Sequence, residues 1–334
     1  MVVQPVALLT STLPLMPGSS RGTFLRSFKP VWLAVSLLLL GILASRARLI
    51  IGPEPVIEFG PDAELLPMTV NPAHYPWLSE VARRPSAPLW TRFRVPPGWN
   101  RVEPERGSFG AWLQGLPVLT DTSAVHDYRG QSIFAASAAV AELDLIGEDL
   151  QQCADSILRL YAEFSWVTGA AGALKFHFTS GDVTTWKNWQ RGERHIVAGD
   201  LVLPVPWFSP GRSRSAFRSW LTLVFRYAGT RSMALDSSAV PPTASLKAGD
   251  FFVLPGSPGH TVLILDVIEH AASGERRALV GQGYTPAQEF HVIATKKELA
   301  LEGVWFRLPQ VGESLTTYDS SPFPRETARK FNGQ

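Results

Sequence analysis

The sequence predicts an α+β protein in which helices come first and an antiparallel sheet follows. Residues 149–166, DLQQCADSILRLYAEFSW, place Leu150, Cys153, Ile157, Leu160, Tyr161 and Phe164 at spacings of three and four, the period of one helix face. Residues 213–228 repeat the pattern with Phe217, Trp220, Leu221, Val224 and Phe225. Beyond them the period drops to two: AGDFFVLPG, HTVLILDVI, RRALVGQGY, AQEFHVI and GVWFRL read as short strands separated by turn residues. Strands gathered in one run, rather than alternating with helices, point away from a doubly wound parallel sheet.

Taken in order, the chain opens with an apolar run over residues 31–44, VWLAVSLLLLGILA, preceded by Arg21, Arg26 and Lys29 and followed by Ser45, Arg46, Ala47 and Arg48. A basic stretch before a short apolar core is the pattern of an export signal, and Ser45 and Ala47 are small enough for a cleavage site. The flanking Arg46 and Arg48 argue equally for an uncleaved membrane anchor. Residues 1–48 are therefore read as signal peptide or anchor, and residues 49–89, rich in proline, as a linker and irregular packing segment. A single domain over residues 90–310 begins with a short strand in TRFRVPPGWNRVE and a short helix in SFGAWLQGLPV. A strand follows in AASAAVAELDL. The helix at 149–166 takes Asp149 as its N-cap, and Asp155, Arg159 and Glu163 form a charged second stripe expected to be an exposed or half-buried ion-pair row. Then come a strand LKFHF, the segment DVTTWKNWQRG and a proline-broken loop LVLPVPWFSPG. In the strand run, SGER marks a hairpin. Residues 311–334 are read as a loose polar tail.

Composition narrows the functional classes. The 334 residues are 45% hydrophobic and 18% charged, enough to bury a large core, and 31 basic against 29 acidic side chains give a formal charge of +2. No field of one sign is available to recruit nucleic acid. One cysteine, Cys153, rules out an internal disulfide and zinc sites built from Cys pairs. His177, His195 and His291 lack metal-ligand spacing, so no metal or cofactor is expected. Trp186 and Trp189 fit core packing better than sugar stacking.

The residues with chemical content are Cys153 near a helix start, His260 at a strand start and Gln282 on the next strand. A helix N-terminus lowers a thiol pKa, a histidine takes its proton and a third polar group orients the ring. Gly249, Asp250, Gly256, Pro258 and Gly259 form the turn that presents His260 at a sheet end. By strand alternation Asp266 shares the His260 face and competes with Gln282 for the orienting role. Asp155 and Arg159 are candidates for substrate binding beside the thiol. Cys153 also lies on its helix's apolar stripe, where an inert buried thiol looks the same.

At these residues GDFFVLPGSPGHTVLILDV resembles the Gly-Asp strand, turn and His strand of NlpC-type papain-like cysteine peptidases and amidases. Over most of residues 90–308 the chain resembles the bacterial family named domain of unknown function 4846. Four motifs carry this in order: PPGWNRVEPERGSFGAWLQGLP, the DLQQCAD helix with Arg159 and Glu163, GDFFVLPGSPGH and GQGYTPAQEFH. The first resemblance implies a papain-like helix packed on the antiparallel sheet, with Cys153 as nucleophile. Two departures stand against it: Gln152-Cys153-Ala154-Asp155 replaces the usual Asp-Cys-Ser/Ala-Gly, and nearly a hundred residues separate Cys153 from Gly249. The expectation is an exported thiol hydrolase or acyltransferase of the periplasm or cell envelope, acting on a peptidoglycan peptide or another envelope substrate. The alternative is a non-catalytic envelope module for binding or assembly on the same fold.

Overall fold

Alternating apolar residues in the second half of the chain assemble into one large antiparallel sheet. A computed structural model describes residues 69–199, 201–318 and 321–332. The apolar run at 31–44 lies outside them, and no helix among the described residues is long and apolar enough to cross a membrane. The elements that position the site are β1 (Trp99–Arg101), α1 (Phe109–Gln114), β2 (Ser137–Val140), α2 (Cys153–Val167), α3 (Trp186–Gln190), β3 (Arg194–Ala198), β4 (Leu201–Val205), α4 (Arg214–Tyr227), α5 (Thr230–Leu235), β5 (Ser237–Ala239), β6 (Phe251–Leu254), β7 (His260–His270), β8 (Arg276–Gln282), β9 (His291–Ile293), β10 (Phe306–Arg307) and β11 (Ala328–Phe331).

Nine strands form the main sheet in the order β5-β11-β6-β7-β8-β9-β2, with β1 paired to β7 and β10 to β8. All pairings are antiparallel. The long β7–β8 hairpin turns at the SGER segment, as its turn residues require. Alternation sends Phe251, Val253, Leu263, Leu265, Leu279 and Val292 to one face, where Ile157, Leu158 and Leu160 of α2 pack with Phe217 and Trp220 of α4. The other face carries Phe252, Val262, Ile264 and Val280, covered by Leu308, Leu315 and Phe323.

Three expectations are corrected. The described residues 311–318 and 321–332 are not a loose tail: Leu315 and Phe323 close the second face, and Phe331 of β11 reaches the first, stacked on Tyr161 at 4.1 Å between ring centroids. Polar residues between those anchors hid them. The segment LVLPVPWFSPG is not all loop, since β4 pairs with β3 in a two-stranded hairpin. Pro204 is tolerated there because β4 has an unpaired edge, where a missing N–H costs no ladder bond. Finally, α2 starts at Cys153 rather than Asp149. Gln152 is its N-cap in a capping box, its own N–H donating to Asp155 Oδ2 at 3.1 Å. Asp149 accepts from the Ala287 N–H instead, at 2.6 Å.

The row Asp155, Arg159, Glu163 is buried, not exposed: Arg159 is 1% and Glu163 0% accessible. Arg159 pairs with Asp144 at 2.6 Å and with Glu163 at 3.7 Å. Arg214 of α4 closes on Glu163 at 2.9 Å and on Glu80 at 2.8 Å, while Arg218 takes Asp144 at 2.5 Å. Burial pushes the Asp144 carboxyl up, but Arg159 and Arg218 outweigh it and hold it below its ordinary range. Three guanidinium groups thus meet three carboxylates, and the network ties α2 to α4. Arg159 is a structural residue of that network, and the candidate substrate-binding role does not fit its burial. Trp186 and Trp189 are core residues, 0% and 8% exposed.

Candidate functional site

The start of α2 reaches the end of the sheet where β7 begins and β8 ends. Ile264 donates its N–H to the Asp250 carbonyl and accepts the Gly249 N–H on the β6 side, so the odd-numbered residues at the start of β7 point their amides toward β8. β8 stops at Gln282, with Leu263 opposite Gly281. The Thr261 amide, the next on that side, is among the groups that pull the Cys153 thiol pKa down against its burial. Gly283 permits the approach: a Cβ there would lie 2.5 Å from Ser156 Oγ and 2.9 Å from the Gln152 carbonyl oxygen. Thr261 and Gly283 were not singled out in the sequence, although Gly283 sits inside the GQGYTPAQEFH motif.

Cys153, at the first helical position, is 8% exposed and lines a cleft of about 480 Å³ with Asp149, Asp155, Thr230, Gly259 and Thr285. Burial first, then the neighbouring Asp155, push its thiol up to about 11, against the opposing pull of the Ala154, Thr261 and Cys153 amides. The resting thiol is therefore protonated at neutral pH. Burial also drives Asp155 well above the usual carboxylate range, and its Oδ1 has no hydrogen-bond partner.

A chain of hydrogen bonds fixes the imidazole of His260. The Glu289 carbonyl can only accept, so His291 Nδ1 donates to it at 3.1 Å. His291 Nε2 is then an acceptor and takes the Gln282 Nε2 amide at 3.4 Å. That sets the Gln282 flip, so its Oε1 accepts from His260 Nε2 at 2.8 Å. A neutral His260 so tautomerised carries its basic lone pair on Nδ1. Tyr284 packs edge-on to the ring at 4.9 Å and Phe323 tilts over it at 5.9 Å. His291, fully buried, is a positioning residue of this chain; in the sequence its strand position was visible but its partner was not.

The structure brings Cys153, His260 and Gln282 to one end of the sheet, by different routes. His260 shares its face with Val262 and Ile264, away from α2, whereas Cys153 belongs to α2 on the opposite face. Asp266 is elsewhere. A β-bulge between Ile264 and Asp266 shifts the alternation, so Asp266 turns to the α1 side and binds Gln114 at 2.8 Å and Arg101 at 2.8 Å. It cannot orient His260, and that expectation is corrected. Asp250 is buried at the entry to β6, where its Oδ2 accepts the Lys247 N–H at 2.9 Å, so it shapes the turn rather than the cleft. Among the described residues no group of His, Cys, Asp and Glu is placed to hold a metal.

No curated protein and no solved structure matches the chain. A family match covers residues 89–328, well over half the sequence, and spans every element of the site from α2 to β9. The chain belongs to the family described as domain of unknown function (4846).

Proposed function

We propose that this domain is a papain-like thiol hydrolase or acyltransferase of the NlpC type, exported to the cell envelope and acting on an amide bond of a peptidoglycan peptide or another envelope substrate. The observation that supports it best is the close approach of the α2 start, with Cys153 at its first helical position, to the sheet end that carries the hydrogen-bonded His260 and Gln282. It brings the thiol to the sheet end at which Gln282 orients the His260 ring through Nε2. In the reaction His260 takes the thiol proton as the sulfur attacks the substrate carbonyl. The orphan N–H groups at the α2 start stabilise the oxyanion, and the imidazolium returns its proton to the leaving amine. Water or a second amine then takes the acyl group from the sulfur. A thiol protonated at rest requires proton transfer to accompany attack, so the enzyme would be activated by substrate rather than carry a standing thiolate.

The non-catalytic envelope module is favoured by two features: the thiol pKa near 11 and the placement of the imidazole on the sheet face away from α2. An amide-mimicking electrophile, such as a peptidyl acyloxymethyl ketone, separates the readings. The enzyme predicts that native protein is modified at Cys153, that Cys153→Ser abolishes this and that His260→Ala slows it at least about tenfold. Modification only after denaturation, or an unchanged rate in His260→Ala, supports the module and overturns the hydrolase.

A further inference from the structure

The hairpin β3–β4 carries apolar side chains that the core does not use. Leu203 stands opposite Ile196, and Leu201 opposite Ala198, on one face of the hairpin. Ile196, Leu201 and Leu203 are 51%, 55% and 47% exposed, and Trp207 and Phe208 just beyond are 87% and 50% exposed. These five are nearly half of the twelve large apolar residues exposed among the described residues, and they fall within thirteen consecutive positions. Such concentration marks an interaction surface rather than ordinary scatter.

The base of the arm is tied to the preceding helix α3 and its C-terminal turn. Arg194 stacks its guanidinium 3.7 Å from the Trp189 ring centroid and donates to the Trp189 carbonyl at 2.8 Å, while the Phe208 N–H donates to the Gly192 carbonyl at 3.1 Å. Gly192, at φ +98°, allows that closure, since a Cβ there would lie 2.1 Å from the Phe208 oxygen. At this base Lys187, Arg191 and Arg212 are exposed. Glu193 is held by the Asn188 side chain at 3.1 Å. Exposed apolar side chains along one hairpin face, with aromatic side chains beside basic residues at the base, are the pattern of an element seated at a bilayer interface. The sequence adds a tether: only 24 residues separate the apolar run ending at Ala44 from Thr69, a reach of at most about 80 Å.

We infer that the β3–β4 arm docks on an anionic lipid bilayer, its apolar side chains entering the acyl boundary and its basic collar meeting the headgroups. The inference rests on the envelope location proposed above and not on the chemistry at Cys153. Docking would hold the cleft at a fixed height over the membrane and confine the domain to substrates near that surface.

The test uses the full chain in phosphatidylcholine vesicles with and without phosphatidylglycerol. An environment-sensitive fluorophore is placed at Leu203→Cys in a Cys153→Ser background, and a control fluorophore at Ser273→Cys on the β7–β8 turn, with Ile196→Cys as a second arm site. Doxyl-labelled lipids should quench the arm positions at least about twofold more than position 273. Phosphatidylglycerol should strengthen the difference, and Leu201→Asp should remove it. Equal quenching at arm and control positions overturns the inference. So does an arm shielded from water without lipid quenching, which would assign the surface to a second copy or to another segment of the chain.

Discussion

At Asp250 a carboxyl is buried beneath the turn that enters β6, 1% exposed, with the Lys247 amide on one oxygen and no partner for the other. Burial pushes its pKa up to about 6. The folded state then binds the proton more tightly than the unfolded chain does, so the associated stability is full below about pH 4 and is lost as pH rises through about 6. A shift of about two units corresponds to about 3 kcal/mol. Asp250→Asn keeps an acceptor for the Lys247 amide without the charge. It should therefore raise stability at pH 7.5 by roughly 1–3 kcal/mol and change it little at pH 4. Urea unfolding of both proteins at the two pH values checks this; equal gains at both would show that the carboxyl's charge is not the cause. Residue type singled out the thiol, the imidazole and Gln282 as candidates, because each has few uses at a helix or strand end. It did not reveal Arg159 and Glu163 as buried, since the charges that neutralise them, Asp144 and Arg214, lie 15 and 51 positions away from their partners.

At the scale of elements the decisive contact is α2 against the end of β8, and the periodicity of α2 made its apolar face readable from sequence. Its start was less so. Asp149 is the better N-cap by type, yet its side chain serves Ala287, and Gln152 with Asp155 caps the helix instead. The bulge in β7 had a similar effect, because period-two alternation assigns Asp266 to the wrong face once one residue is inserted. Gly283 turns this contact into a prediction. Alanine there would press on Ser156 and the Gln152 carbonyl and push the first turn of α2 away from the end of β8. Overpacking of this kind costs about 1–3 kcal/mol. Displacement of the sulfur should slow electrophile modification of Cys153 by about tenfold or more while the fold persists. Circular dichroism and the modification rate measured together decide the matter: a folded variant with an unchanged rate would mean that the close approach does not position the thiol.

For the whole molecule, the sheet is sandwiched between helices on one face and the C-terminal segment on the other, and only the first of these layers was legible. Helical spacing identifies α2 and α4 over many residues, whereas the second layer depends on isolated anchors, Leu315 and Phe323, set among polar residues with no period. β11 closes the arrangement. It inserts between β5 and β6, and Phe331 packs on Phe251 at 4.8 Å and stacks on Tyr161 at 4.1 Å, so the last described strand joins sheet and α2 in one core. A chain ended after Gln310 would expose Phe252 and Val262, leave the β6 edge unpaired and remove the partner of Tyr161. It should fail to accumulate as soluble protein. The milder Phe331→Ala should fold and lose about 3–5 kcal/mol in urea unfolding, as for other fully buried phenylalanines. A truncated chain that stays soluble with native near-ultraviolet dichroism, or a loss below about 1 kcal/mol for Phe331→Ala, would show that the core closes without β11.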